Sequence, residues 1–236
     1  MLAAAVSAAA AGEPWLTKPY QSWDKKDVRK ILTDSPWAQT VQTIAPWQNG
    51  FAGRSGRGPT TPNYPSGPMS SDPSQSAPGM PSAATLASGY VPVVIRWASS
   101  ATERAAVAQQ QMLRGVMTPA QVDSAVAQQP EEYEIVAVFD ANPGLPPITE
   151  DQLEAAASLK LKPSGREVEA IRVKIREAEK GSGGEVSFYF PKRDANGEPL
   201  ISPVQSEAQF ECQAGRMSLR ANFQLQKMRT KDGLDL

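Results

Sequence analysis

Regular alternation of apolar and polar residues is clearest near the end of the chain. Eight apolar residues occupy every second position in two runs: Ala208, Phe210 and Cys212, then Met217, Leu219, Ala221, Phe223 and Leu225. A period of two predicts two β-strands that each bury one face. Ala214-Gly215 between the runs predicts a tight hairpin. With this turn, three pairs face each other: Gln213 with Arg216, Cys212 with Met217, and Phe210 with Leu219.

Further strands and helices are predicted upstream of this hairpin. Alternating apolar residues mark strands at 91–97, 133–139 and 186–190. The run 168–175 also fits a helix, but β-branched residues at every second position favour a strand for its second half. Three helices begin at capping signals: Ser100 with Glu103, Thr118-Pro119 with Gln121, and Thr149 with Gln152. We therefore expect residues 90–236 to form an α+β domain, with an antiparallel-rich sheet and about three helices on one face.

The segment 13–49, which we call the arm, is rich in tryptophan. It contains four of the five tryptophans: Trp15, Trp23, Trp37 and Trp47. A short helix is predicted from a Ser22 cap to about Thr33, and residues 37–44 follow as a short strand or an extended segment. Tryptophan is strongly enriched at the energetically important positions of interfaces, so these four side chains are the predicted partner-binding residues.

Residues 50–89 join the arm to the body. Gly, Pro and Ser make up 22 of these 40 residues. Since no periodic apolar face exists here, the segment cannot bury enough surface to offset its ordering entropy. It is predicted to be a flexible linker with a span of roughly 35 Å. The arm can therefore reach its own body or that of a neighbour.

Residues 1–12, MLAAAVSAAAAG, resemble the end of a secretory signal peptide. Small apolar residues run up to an Ala-x-Ala pattern, with cleavage expected after Ala10 or Ala11. No Lys or Arg precedes the apolar run, so an alanine-rich disordered start or a first helix is the alternative. Export to the periplasm or the extracellular space is the prediction.

The amino-acid composition excludes several kinds of catalysis and metal binding. The chain has 236 residues, a formal net charge of -1, one cysteine and no histidine. Histidine-based triads and the usual zinc and iron sites are excluded, because histidine is the commonest general base and transition-metal ligand. A near-zero net charge gives no general attraction to nucleic acid. No catalytic residue, metal ligand or cofactor is predicted, and no segment is long and apolar enough to span a membrane.

Two local features have alternative interpretations. Cys212 is a candidate nucleophile, but without a histidine base it is better explained as a small buried apolar residue. Residues 194–198, Asp-Ala-Asn-Gly-Glu, resemble the start of a calcium loop, although the glycine comes too early and Gln205 stands where a glutamate should close the site. A turn initiated by Asp194 explains the same residues.

Three stretches carry a resemblance to a family: DVRKILTDSPWA at 27–38, VVIRWASS at 93–100 and EVSFYFPK at 185–192. Together with the closing hairpin, they resemble a group of uncharacterised exported proteins common in acidobacterial genomes. Some relatives carry a GWxTD motif, which this chain does not contain. The resemblance implies export and the arm-plus-body layout, and it implies no activity.

The leading functional hypothesis is an exported, non-enzymatic protein that acts through protein–protein contacts as a self-assembling scaffold subunit. The arm would dock on a neighbouring body in a homo-oligomer. Docking of the arm on its own body and glycan binding by its tryptophans are the alternatives for the arm. For the whole protein, the alternatives are a cell-envelope hydrolase that uses only acidic residues and a passive ligand-binding domain.

Overall fold

The fold is described from a computed structural model, for residues 12–44, 90–139, 148–177, 183–231 and 233–236. Most of the signal-like segment, the predicted linker and Trp47 lie outside these residues. Five α-helices are present in the described part of the chain: α1 Pro14–Thr17, α2 Lys25–Thr33, α3 Ala101–Leu113, α4 Pro119–Ala127 and α5 Glu150–Glu154. A 3-10 helix covers Tyr20–Ser22.

The strands form two large antiparallel sheets and a short ribbon. In chain order they are β1 Ala38–Ile44, β2 Tyr90–Trp97, β3 Glu132–Phe139, β4 Ala157–Lys162, β5 Arg166–Glu169, β6 Arg172–Glu177, β7 Gly184–Pro191, β8 Glu207–Ala214, β9 Met217–Gln224, β10 Arg229–Thr230 and β11 Gly233–Leu234. The five-stranded sheet has the order β1-β2-β3-β7-β6, and the four-stranded sheet has the order β5-β4-β8-β9. Strands β10 and β11 pair with each other.

The main core contains apolar side chains from both large sheets. Trp97 of β2 makes an edge contact with Phe223 of β9, with ring centroids 5.1 Å apart. Phe188 of β7 and Phe210 of β8 approach to 5.0 Å. The predicted α+β class is confirmed. The strands fall into two sheets rather than one because each sheet has one apolar face, and the two faces bury each other.

Helices α2, α3 and α4 pack side by side around a second, smaller core. Its buried residues are Trp23, Val28, Ile31, Leu32, Ala105 and Ala106. The caps predicted for the three helices of the body are present at Ser100, Thr118 and Thr149. The cap predicted for α2 is wrong. Asp24 caps this helix by accepting from the amides of Lys26 and Asp27, because the 3-10 helix occupies Ser22.

The closing hairpin forms, but its predicted register is wrong. Ala214 faces Met217, Cys212 faces Leu219 and Phe210 faces Ala221. Because Ala214 pairs with Met217, Gly215 is the first central residue of the turn, with φ +59°, whereas the prediction placed it second. Every partner therefore shifts by two residues, which keeps all the apolar side chains on the buried face.

Replacing Gly215 tests the positive φ of this turn residue. No atom lies within 4 Å of a Cβ added at Gly215, so the cost of a side chain comes from the positive φ alone. We expect Gly215→Ala to lower the free energy of unfolding by about 1 kcal/mol, and Gly215→Asn to lower it less, since asparagine tolerates this conformation. Urea unfolding measures both. Equal losses for Ala and Asn would contradict the positive φ.

Candidate functional site at the docked arm

In the structure the arm completes the five-stranded sheet of its own body. Strand β1 pairs antiparallel with β2 over seven residue pairs, from Ala38 opposite Arg96 to Ile44 opposite Tyr90. The amide of Trp97 also donates to the carbonyl of Trp37, at 2.8 Å. The arm is thus held by a full set of strand contacts, which is the geometry of strand addition.

Trp37 anchors the arm in the main core. Its side chain is fully buried, and its indole Nε1–H donates to the carbonyl of Asp235 at 2.8 Å. Trp15 packs edge-on against it, with ring centroids 5.8 Å apart. A buried indole with a satisfied N–H contributes both apolar area and direction to a contact.

Asp235 links the arm, α3 and the end of the chain. Its carboxylate accepts from the amides of Ala101 at 2.6 Å and Thr102 at 3.0 Å, the first residues of α3. A carboxylate is favoured there because unpaired amides and the helix dipole meet at that end. Its own amide donates to the carbonyl of Met228. The same residue therefore holds Trp37 and the start of α3.

Two polar side chains of β1 bind the outer edge of β9. The amide of Asn222 donates to Oε1 of Gln39 at 3.3 Å, and Nε2 of Gln39 donates to the carbonyl of Asn222. The amide of Ser218 donates to Oγ1 of Thr43 at 3.2 Å. Side chains thus satisfy backbone groups that an exposed edge strand would leave open. These contacts were not predicted, because polar residues in β1 resemble a solvent-facing pattern.

The four tryptophans of the arm have different environments. Trp37 and Trp23 are buried within the same chain, and the indole N–H of Trp23 donates to the carbonyl of Pro14. Trp15 is partly buried between Trp37 and Nζ of Lys30. Trp47 lies outside the described residues. Of the predicted partner-binding residues, the structure thus brings Trp15, Trp23 and Trp37 onto the body of their own chain.

A groove of about 1150 Å³ runs between the arm and the body. The arm contributes Trp15, Leu16 and Tyr20 to one wall. The body contributes the start of α3, the residues around the end of α4, Lys192, and five residues near the end of the chain: Thr230, Lys231, Leu234, Asp235 and Leu236. A concave site of this size, lined by aromatic and charged groups, is large enough for a small-molecule ligand.

Lys192 is partly buried in this groove and forms no ion pair with the described residues. Its ammonium lies 5.3 Å from the ring centre of Tyr133. Burial lowers the pKa of Lys192, the nearby Arg104 lowers it further, and Asp235 raises it. Arg104 itself donates to the carbonyls of Ala125, Val126 and Gln128 at the end of α4.

Glu103 is a buried carboxyl group behind the groove, on the side of α3 that faces the sheet. It is 1% exposed, and neither carboxyl oxygen has a hydrogen-bond partner. Arg96 of β2 approaches to 4.0 Å. Burial raises the pKa of Glu103 to about 8; Arg96 lowers it and Asp235 raises it. At neutral pH this side chain is therefore mostly protonated.

The other sequence candidates have structural roles. Cys212 is buried in the main core, and burial raises its pKa to about 12, so the reactive thiolate is disfavoured. The carboxylate of Asp194 accepts from the amides of Asn196 at 2.9 Å and Glu198 at 3.0 Å, which is the predicted turn. Within the described residues, no cluster of three or more candidate ligands could hold a metal ion.

Comparisons of this chain with protein-family models, curated proteins and solved structures find no match. The resemblance to acidobacterial exported proteins therefore stays a prediction. In the described part of the chain, no helix is long and apolar enough to cross a membrane.

The buried Glu103 makes stability depend on pH. Its pKa is raised from 4.5 to about 8, so between these values the folded protein holds a proton that the unfolded chain has lost. The contribution of Glu103 to the free energy of unfolding is therefore most favourable below pH 4.5, and it falls as the pH rises through 8. Glu103→Gln lacks this titration. From pH 5 to pH 8, we expect the wild type to lose roughly 3 kcal/mol more than the variant.

Urea unfolding at the two pH values measures this difference. Glu131→Gln is the matched control, because Glu131 is exposed and its charge is already solvated. A pH dependence for Glu103→Gln that equals that of the wild type would show that Glu103 is ionised in the folded protein.

Proposed function

We propose that the protein is an exported, non-enzymatic interaction protein that self-associates by exchange of its arm. In the closed monomer, the arm adds β1 to its own body. In the assembled form, the arm of one copy makes the same contacts with a neighbour, and the exchange is reciprocal in a symmetric dimer. The periplasm or the extracellular space is the proposed location.

The docking site on the body carries this proposal. The arm contacts the body through seven strand pairs, through the buried Trp37, and through the side chains of Gln39 and Thr43, which bind β9. None of them depends on which copy supplies the arm. A second copy that has released its own arm offers an identical edge on β2 and an identical cavity for Trp37.

The length of the connection supports exchange. Ile44 and Tyr90 are facing partners in the register, so two residues would suffice to join β1 and β2. The sequence places 45 residues between them. Closing this longer loop costs about 3 kcal/mol more than closing a two-residue turn. The extra length weakens docking within one chain and gives the arm the reach to dock on another.

Concentration then decides between the two forms. The flexible linker predicted from the sequence would give an effective concentration on the order of millimolar. Docking on the same chain is expected to dominate in dilute solution, and exchange is expected to dominate where the protein is crowded.

The other sheet edges in the described residues offer fewer unpaired backbone groups than the edge of β2 would offer after β1 is released. The outer edge of β9 is bound by Gln39 and Thr43. The amide of Ile175 on β6 donates to Oε1 of Glu150 at 2.8 Å. Strand β5 is four residues long and mostly charged, which opposes pairing with another chain. Exchange of β1 is therefore the favoured route to assembly through a sheet.

The proposal includes the absence of an enzymatic role, and the side chains that line the groove support this part of it. Hydrolysis by acidic residues alone needs two carboxylates about 5–10 Å apart. Of the described side chains that line the groove, only Asp235 has a carboxylate, and it is bound to two amides of α3.

A cross-strand cysteine pair tests arm exchange. Thr40 and Val94 face each other across β1 and β2, a separation that suits a disulfide. In Thr40→Cys/Val94→Cys, a closed monomer gives a disulfide within one chain, and an exchanged dimer gives two disulfides between chains. We expect the share of covalent dimer on non-reducing gels to rise with the protein concentration at which the sample equilibrates before oxidation.

The matched control is Thr40→Cys/Lys174→Cys, because Lys174 lies on β6 at the far edge of the same sheet. Its cysteines cross-link between chains only by random collision. If the paired variant stays monomeric at millimolar concentration, or forms no more dimer than the control, arm exchange is refuted.

A further inference from the structure

The groove between the arm and the body combines unneutralised positive charge with an exposed apolar wall. We infer that it binds a small amphiphile with an anionic head group, which meets Lys192, and an apolar tail, which lies along the wall formed by the arm. The inference needs only the docked arm seen in the structure and does not depend on exchange between copies.

The charge balance of the groove favours an anion. Lys18 is paired with Asp27, at 2.7 Å. Arg104, Lys192 and Lys231 remain, opposed by the carboxylate of Asp235, which the amides of α3 already bind. The charged side chains of the described lining are therefore positive overall. An anion entering it gains attraction that bulk water would screen.

Lys192 is the best-placed group to receive the head group. An ammonium that is partly removed from water loses hydration; Asp235 offsets part of this loss at a distance, but no carboxylate of the described residues forms a direct ion pair with Lys192. Tyr133 provides a cation–π contact on one side. An incoming carboxylate or phosphate would supply the missing counter-charge and a charge-assisted hydrogen bond.

The wall formed by the arm suits an apolar tail. Leu16 lines the groove and is 56% exposed, one of the most exposed large apolar residues of the described chain. Trp15 and Tyr20 continue this wall. Covering such a surface with a hydrocarbon chain removes apolar area from water on both partners.

Titration of the full-length protein with laurate, below the concentration at which laurate forms micelles, tests the inference. We expect saturable binding by calorimetry, with dodecanol much weaker because it has the same tail and no charge. Dodecyl phosphate in parallel shows whether the head-group site prefers a carboxylate or a phosphate; tighter binding of either one than of dodecanol supports the inference.

Two variants separate the head from the tail. Lys192→Met keeps the apolar stem and is expected to weaken laurate binding about tenfold or more, while dodecanol is unaffected. Leu16→Ser is expected to weaken both ligands and, because Leu16 is exposed, to leave the free energy of unfolding nearly unchanged. Lys227→Met is the control, because Lys227 is exposed and does not line the groove. Absence of binding by both laurate and dodecyl phosphate, affinities of both that are no higher than that of dodecanol, or an unchanged affinity for the anionic ligand in both groove variants would overturn the inference.

Discussion

Burial of Trp37 in the main core is the interaction on which the arrangement of the arm depends. The indole fills space in the core and donates its N–H to the carbonyl of Asp235. Asp235 in turn holds the first two amides of α3. Removing the indole would leave a cavity and an unpaired carbonyl, a loss of about 3–5 kcal/mol by analogy with other buried aromatic residues. Strand β1 begins directly after this anchor, and Trp15, which packs on Trp37, forms part of one wall of the groove.

The structure also contains groups whose burial opposes stability. Glu103 has no hydrogen-bond partner for its carboxyl oxygens, and Lys192 forms no direct ion pair with the described residues, although Asp235 raises its pKa. Glu103 faces Arg96 of the sheet, and Lys192 lines the groove. Glu103 responds by holding its proton. Lys192 remains available to an anion from solution. Buried polar groups without partners lower the free energy of unfolding, and such groups are often found at functional sites.

The sequence predicted the strands well where apolar residues alternate strictly, as in β8 and β9, and it predicted three helix starts from their caps. It did not predict that the strands divide into two facing sheets, because alternation shows that a face is buried and not what covers it. The hairpin register failed because Gly215 could occupy either central position of the turn. The groove and the role of Asp235 depend on residues far apart in the chain, such as Trp37 and Asp235, and no local pattern connects them. Trp15, Trp23 and Trp37 contact the body of their own chain, and these contacts could not be read from the sequence; binding of a partner by the tryptophans stays a prediction.

Amide hydrogen exchange in β1 is the most direct measurement of the central claim that the arm docks as a strand of the sheet. The amides of β1 that bond to β2 should be protected to nearly the same degree as those of β2 and β3, in dilute solution and at high concentration alike, since either form keeps the pairing. Trp37→Ala should remove this protection from β1 and leave that of β3 in place. Free exchange throughout β1 in the wild type, beside a protected β3, would show that the arm is not docked and would contradict the account.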